Sequence, residues 1–127
     1  MIYEKESTAT LDQVVAKLEA AVAEHKFGVL GVHDLKKKMA DKGVPFDHEC
    51  LIFEVCNPLQ AKKVLETDMS IANALPCRIC VYEQGGTIHV STIRPTFMLS
   101  LFKNTQLQDV AQEIEDSIIK AIDEACS

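Results

Sequence analysis

The residues best suited to chemistry in this sequence are its five cysteines: Cys50, Cys56, Cys77, Cys80 and Cys126. Cys56 directly precedes Asn57-Pro58, a pair typical of a helix N-cap followed by proline at the first helical position. A helix N-terminus carries partial positive charge and free N–H groups, and both stabilise a thiolate. Cys56 is therefore the candidate nucleophile, with Cys80 or Cys77 as its resolving partner. The competing interpretation is that each thiol is a small buried apolar side chain.

Cys77 and Cys80 form a C-x-x-C spacing, which marks redox and zinc sites when its context is right. Here the pair falls within a predicted strand, where an offset of three places the two side chains on opposite faces. The sequence has no second C-x-x-C and no paired histidine motif. The odd number of cysteines and the lack of an export signal also argue against a disulfide framework.

The clearest predicted strand covers residues 49–56, and its alternation decides which candidate residues share a face. One face carries the apolar residues Leu51, Phe53 and Val55. The opposite face carries Cys50, Ile52, Glu54 and Cys56. We expect the apolar face to meet the helices, which leaves the thiols and the carboxylate on the other.

The neighbouring strands add more polar side chains to this second face: Arg78, Cys80, Tyr82 and His89. The glycine-rich, apolar segment 27–33 predicts a buried strand, and His33 joins this face if that strand has the matching phase. The candidate binding residues are therefore Glu54, Arg78, His33, His89 and Tyr82.

Helical and strand periodicities alternate along the chain and predict an α+β fold. A capping-box pattern over Thr10–Gln13 begins the first helix, and Gly85-Gly86 predicts a tight hairpin. The predicted order is β-α-β-β-α-β-β-α in a single domain over residues 1–127, with a mixed, mostly antiparallel sheet and helices packed on one face. The helix between the strands near 50–56 and 77–83 suggests a right-handed crossover that makes these strands parallel. Adjacent parallel strands would bring Cys56 and Cys80 together.

The second face needs a cover, because Ile52, Ile93 and the apolar segment 95–102 lie on or near it. A second copy of the chain, forming a homodimer, is one cover, and a ligand cleft is the other. His33, His89 and Glu54 would also suit a metal site with Cys56 or Cys80. No ligand spacing supports such a site, so no metal residue is assigned and any cofactor stays unknown.

The composition excludes several classes of protein. The chain has 13 basic and 19 acidic residues, a net charge of −6, which argues against a nucleic-acid surface. It has no run of about 20 apolar residues that would span a membrane and no signal-peptide pattern, so we expect a cytoplasmic protein without membrane partners. The sequence contains no glycine-rich phosphate loop and no G-x-S-x-G elbow. Whether the protein is an enzyme stays open.

Several segments resemble the domain of unknown function 302 family: residues 27–35, Gly43, residues 54–58, and residues 75–83 with the Gly-Gly hairpin. The most specific parts are Cys-Asn-Pro at 56–58 and Leu-Pro-Cys at 75–77, and the resemblance covers nearly the whole chain. It implies a compact α+β fold, commonly a homodimer, in small bacterial or archaeal proteins with no assigned activity. Cys56 and Cys77 match family cysteines, whereas Cys50, Cys80 and Cys126 look like additions.

Three functional hypotheses remain after the sequence alone. The leading one is a small cytoplasmic, homodimeric binding or sensing domain for an unassigned small molecule. The first alternative is a thiol-active protein in sulfur or redox metabolism, using Cys56 with Cys80 or Cys77. The second alternative is a metal-binding protein.

Overall fold

The computed structural model describes residues 1–127 and contains five strands and five α-helices. The strands are β1 (Ile2–Ser7), β2 (Gly28–Asp34), β3 (Cys50–Cys56), β4 (Cys77–Gln84) and β5 (Thr87–Ile93). The helices are α1 (Leu11–Glu24), α2 (Leu35–Asp41), α3 (Pro58–Thr67), α4 (Pro95–Ser100) and α5 (Gln108–Ala125). Two 3₁₀ turns, Met69–Ala74 and Thr105–Leu107, precede β4 and α5. The α+β class and the order of the long elements are confirmed.

Two long helices, α1 and α5, pack against each other and cover one face of the sheet. The predicted capping box starts α1: the Gln13 amide donates to Thr10 Oγ1 (3.2 Å), and the Thr10 amide donates to the Gln13 side chain (3.0 Å). The main core lies between these helices and inward side chains of the three central strands, namely Phe53, Val55, Ile79, Val81, Ile88 and Val90. The predicted strand phase around Phe53 is therefore confirmed.

All neighbouring strands are antiparallel, in the order β1-β5-β4-β3-β2. The expected parallel pairing of β3 with β4, and with it the mixed sheet, is wrong. The reason is that α3 packs on the Met69–Ala74 turn and on α5 instead of crossing the sheet. The chain therefore re-enters the sheet at the end it left.

Strand β2 forms one edge of the sheet and is largely exposed, whereas the sequence suggested a buried strand. It pairs only with β3, and its apolar side chains Val29, Leu30 and Val32 remain exposed. Its register shifts between Val29 and Gly31, which makes Leu30 the extra residue of a bulge. Glycine and apolar residues here indicate an irregular edge and not a core strand.

A second, smaller core lies at the end of the sheet where β3 and β5 finish and β4 begins. It joins α3, α4, α5 and both 3₁₀ turns through Val64, Ile71, Leu99, Leu107 and Ala111. Helix α4 is fastened to α5 by Glu115, which is buried and accepts hydrogen bonds from the Thr96 amide (3.2 Å) and hydroxyl (2.6 Å). This attachment holds α4 in place beside the uncovered face of the sheet.

Candidate functional site: the open face and its cleft

The face of the sheet turned away from α1 and α5, here called the open face, carries the predicted binding residues. In the register, Glu54 lies opposite Arg78, Tyr82 opposite His89, and Cys80 opposite Ser91. His33 of β2 reaches the same face, where its Nε2 lies 2.7 Å from Glu54 Oε1. Strand alternation therefore places these side chains correctly, and their functional role stays a prediction.

A cleft of about 480 Å³ opens where the open face meets α4 and the segment Asn73–Pro76. Ile52, Cys80, Ser91 and Ile93 line it from the sheet. Met98 and Leu99 of α4 line it from the opposite side, together with Pro95 and Ala74. Most of the lining is apolar. A molecule bound in the cleft could therefore bury a substantial apolar surface against it.

Arg78 is the only charged residue that lines the cleft. Its guanidinium makes no ion pair, and the carboxylate of its cross-strand neighbour Glu54 contacts His33. The other arginine, Arg94, pairs with Glu115 at 3.5 Å and lies over the ring of Tyr3. The cleft therefore offers one unpaired cation with the planar donor geometry that fits a carboxylate or similar anion.

The thiols do not show the electrostatic environment that a nucleophile requires. The N-terminus of α3 is capped by Asn57 Oδ1, which accepts from the amides of Leu59 (3.1 Å) and Gln60 (3.2 Å). These N–H groups are therefore not directed at the Cys56 thiol, and burial raises the pKa of Cys56. Burial also raises the pKa of the other four thiols, that of Cys77 to about 11. This direction disfavours a thiolate near neutral pH.

The antiparallel register separates Cys56 from Cys80. Val55 pairs with Cys77, so Cys56 lies at the level of Pro76, four residues along β4 from Cys80. Four residues of strand span about 13 Å, and the expected approach of Cys56 to Cys80 is therefore wrong. Cys56 instead shares a small cavity of about 20 Å³ with Cys77 and with Gln60, whose buried Oε1 has no hydrogen-bond partner.

The two candidate histidines lie in separate clusters. His33 belongs to β2 and His89 to β5, and β3 and β4 lie between them. Three inter-strand spacings separate them by about 14 Å, so they do not join Glu54 and a cysteine in one metal site. His89 instead lies beside Glu4 and Glu6 of β1.

Sequence reasoning missed these two glutamates. Their signal is the weak alternation of residues 2–7, which places Glu4 and Glu6 on one face of the first strand. The pairing of β1 with β5, which brings them to His89, is a long-range contact that the alternation does not reveal.

An antiparallel sheet covered on one face by two helices defines this chain as an α+β domain, and the other face carries the cleft. It matches the family "Domain of unknown function DUF302" over residues 3–125 and belongs to that family. Its structure is similar to a crystal structure of an uncharacterized conserved DUF302 protein from Bacillus stearothermophilus, with a TM-score of 0.93 and 28% sequence identity. That similarity covers 99% of this chain and 98% of the other. No curated protein matches the chain.

None of the helices is long and apolar enough to cross a membrane.

Proposed function

We propose that this protein is a binding or sensing domain whose cleft takes a small amphipathic molecule, with an apolar body and one anionic group held by Arg78. The observation that carries the proposal is the single unpaired guanidinium in an otherwise uncharged, mostly apolar cleft. The volume of about 480 Å³ is in the range of small-molecule sites.

The apolar side chains and the Arg78 guanidinium would contribute to binding in different ways. Apolar contacts with Ile52, Ile93 and Met98 supply affinity through surface removed from water. A charge-assisted hydrogen bond to Arg78 fixes the direction of the ligand and distinguishes an anion from a neutral analogue. Such a bond contributes about 1.5–3 kcal/mol, which corresponds to a tenfold or greater preference for the anion.

The test uses the fluorescent probe 1-anilinonaphthalene-8-sulfonate, displaced by octanoate or by octanamide. Wild-type protein is expected to bind octanoate at least tenfold more tightly than octanamide, and Arg78→Gln should remove that difference. Lys62→Gln is the matched control, because Lys62 is an exposed cation outside the cleft. Equal displacement by the two compounds in wild-type protein, or an unchanged preference in Arg78→Gln, would contradict the proposal.

A second pair of variants locates the probe. Ile93 and Leu30 are both exposed, but only Ile93 lines the cleft. Ile93→Asp is expected to weaken probe binding, whereas Leu30→Asp should leave it unchanged. The opposite result would place the probe on β2 and contradict binding in the cleft.

Self-association as a homodimer remains part of the proposal. It is supported by the exposed apolar side chains Phe97 and Leu101 of the 95–102 segment and by Ile2 and Ile93 at the edge of the open face. Light scattering tests it, and a monomer at micromolar concentration would contradict it. The cytoplasmic location stays a prediction.

The alternatives have less support. A thiol-active protein needs a low-pKa cysteine, and the structure raises the pKa of all five. A metal site built from cysteine and the two histidines needs His33 and His89 close together, and β3 and β4 lie between them. Iodoacetamide labelling and metal analysis test these two alternatives directly.

A further inference from the structure

Three potential metal ligands, none of which lines the cleft, converge on the open face. Glu4 and Glu6 project from β1, and His89 lies directly opposite Glu6 on β5. His89 Nδ1 lies 3.3 Å from Glu4 Oε2 and 3.6 Å from Glu6 Oε1. One ligand atom from each residue lies within 4.8 Å of the other two.

The two separations from His89 Nδ1 match those between ligands in a coordination sphere. Oxygen and nitrogen ligands bound to Zn²⁺ at about 2.0–2.2 Å in tetrahedral geometry lie about 3.4 Å apart. The distances of 3.3 Å and 3.6 Å from Nδ1 lie on either side of this value. The side chains would therefore need only small adjustments to hold an ion, and both strands belong to a hydrogen-bonded sheet that limits their motion.

Tyr82 orients two of the three ligands. Its hydroxyl donates to Glu4 Oε1 at 2.7 Å, which leaves Oε2 facing the imidazole. Its ring stacks on His89 with centroids 5.1 Å apart and planes 5° from parallel. Outer contacts of this kind fix the ligands of natural metal sites.

We propose that Glu4, Glu6 and His89 form a binding site for one divalent metal ion of the zinc class. Two carboxylates and a neutral imidazole balance the charge of a divalent ion, and three protein ligands leave a coordination position open. The site lies beside the cleft, because Glu4 pairs with Ser91. It does not depend on the ligand proposed for the cleft.

The alternative role for this cluster is an ion pair between a protonated imidazole and two carboxylates. Zn²⁺ titration by calorimetry, on chelator-treated and reduced protein, distinguishes the two. We expect one ion per chain and at least tenfold weaker binding in Glu6→Gln and in His89→Gln. Tyr82→Phe, which removes only an outer contact, should weaken binding by about tenfold.

Two controls make the result specific. His25 also lies beside a carboxylate, Glu124, at 3.1 Å, but has no second one, so Glu124→Gln should bind Zn²⁺ as the wild type does. The double variant Cys50→Ser, Cys80→Ser should also bind normally, and bound Co²⁺ should show no thiolate charge-transfer band. Failure of the wild type to bind, wild-type affinity in Glu6→Gln, whose side chain is exposed, or loss of binding in the double-serine variant would overturn the proposal.

Discussion

Glu115 connects the stability of the protein to the shape of its cleft. The side chain is 5% exposed and accepts two hydrogen bonds from Thr96, while Arg94 Nη1 lies 3.5 Å from its second oxygen. Thr96 and Arg94 belong to α4 and its N-cap, so this carboxylate ties the α4 wall of the cleft to α5. Removing it should therefore both destabilise the fold and loosen the cleft.

The expected magnitude follows from these contacts. Hydrogen bonds to a charged group contribute about 1.5–3 kcal/mol each, and part of this is offset by the desolvation that the carboxylate no longer suffers. We expect Glu115→Ala to lower the free energy of unfolding by about 3 kcal/mol, or the melting temperature by roughly 10 °C. Glu115→Gln keeps an acceptor for Thr96 and should cost about 1 kcal/mol.

Urea denaturation followed by circular dichroism measures the loss, and hydrogen exchange of the α4 amides shows whether the wall is released. Glu113→Ala is the control, because Glu113 is exposed on the same helix and should change stability by less than about 0.5 kcal/mol. A loss in Glu115→Ala no larger than that of the control would refute the reasoning. Unchanged exchange in α4 would refute the link to the cleft.

Three further outcomes follow from burial and charge. Because burial raises the pKa of all five thiols, that of Cys77 to about 11, native protein should react with iodoacetamide more slowly than free cysteine near neutral pH; one fast thiol would revive the thiol-active alternative. The Tyr82 hydrogen bond lowers the pKa of Glu4, so the stability from ionised Glu4 is present above its unfolded pKa of about 4.3 and is lost as pH falls through the lower folded value. Tyr82→Phe should raise the Glu4 titration midpoint measured by NMR, and an unmoved midpoint would count against this. Phe53→Ala should cost about 3–5 kcal/mol and Ile52→Ala clearly less, since only Phe53 is in the main core; equal losses in urea denaturation would contradict the strand phase.

Local patterns predicted the parts of the fold that local physics decides. Alternation around Phe53 fixed which face meets the helices, because the side-chain period of a strand leaves only two choices. The Thr10 capping box and the Asn57 N-cap both form as the sequence indicates. The open-face position of Glu54 and Arg78 follows from the same alternation.

Strand direction and the position of β2 could not be predicted in the same way. A helix between two strands usually makes a parallel crossover, and only the packing of α3 on α5 and the Met69–Ala74 turn shows that this one does not. Segment 27–33 contains enough apolar residues for a core strand, and its edge position depends on which strands pair elsewhere. Both are long-range choices that a pattern of neighbours in sequence does not contain.

The candidate site was predictable in part for the same reason. Arg78 and Cys80 were identified by alternation, but the α4 wall that turns their surroundings into a cleft depends on Glu115, 19 residues beyond Thr96. The alternation of the first strand is too weak to single out Glu4 and Glu6 as site residues. Their proximity to His89 depends on the pairing of β1 with β5, which is a long-range contact.

The bulge at Leu30 has a consequence for how copies of this protein behave at high concentration. A free sheet edge with a regular row of amides and carbonyls invites another chain to extend it, and apolar side chains strengthen that tendency. In β2 the extra residue breaks the row near its middle. An incoming strand would find no continuous hydrogen-bond ladder to extend. The irregular backbone of this apolar edge therefore protects the protein against edge-to-edge aggregation.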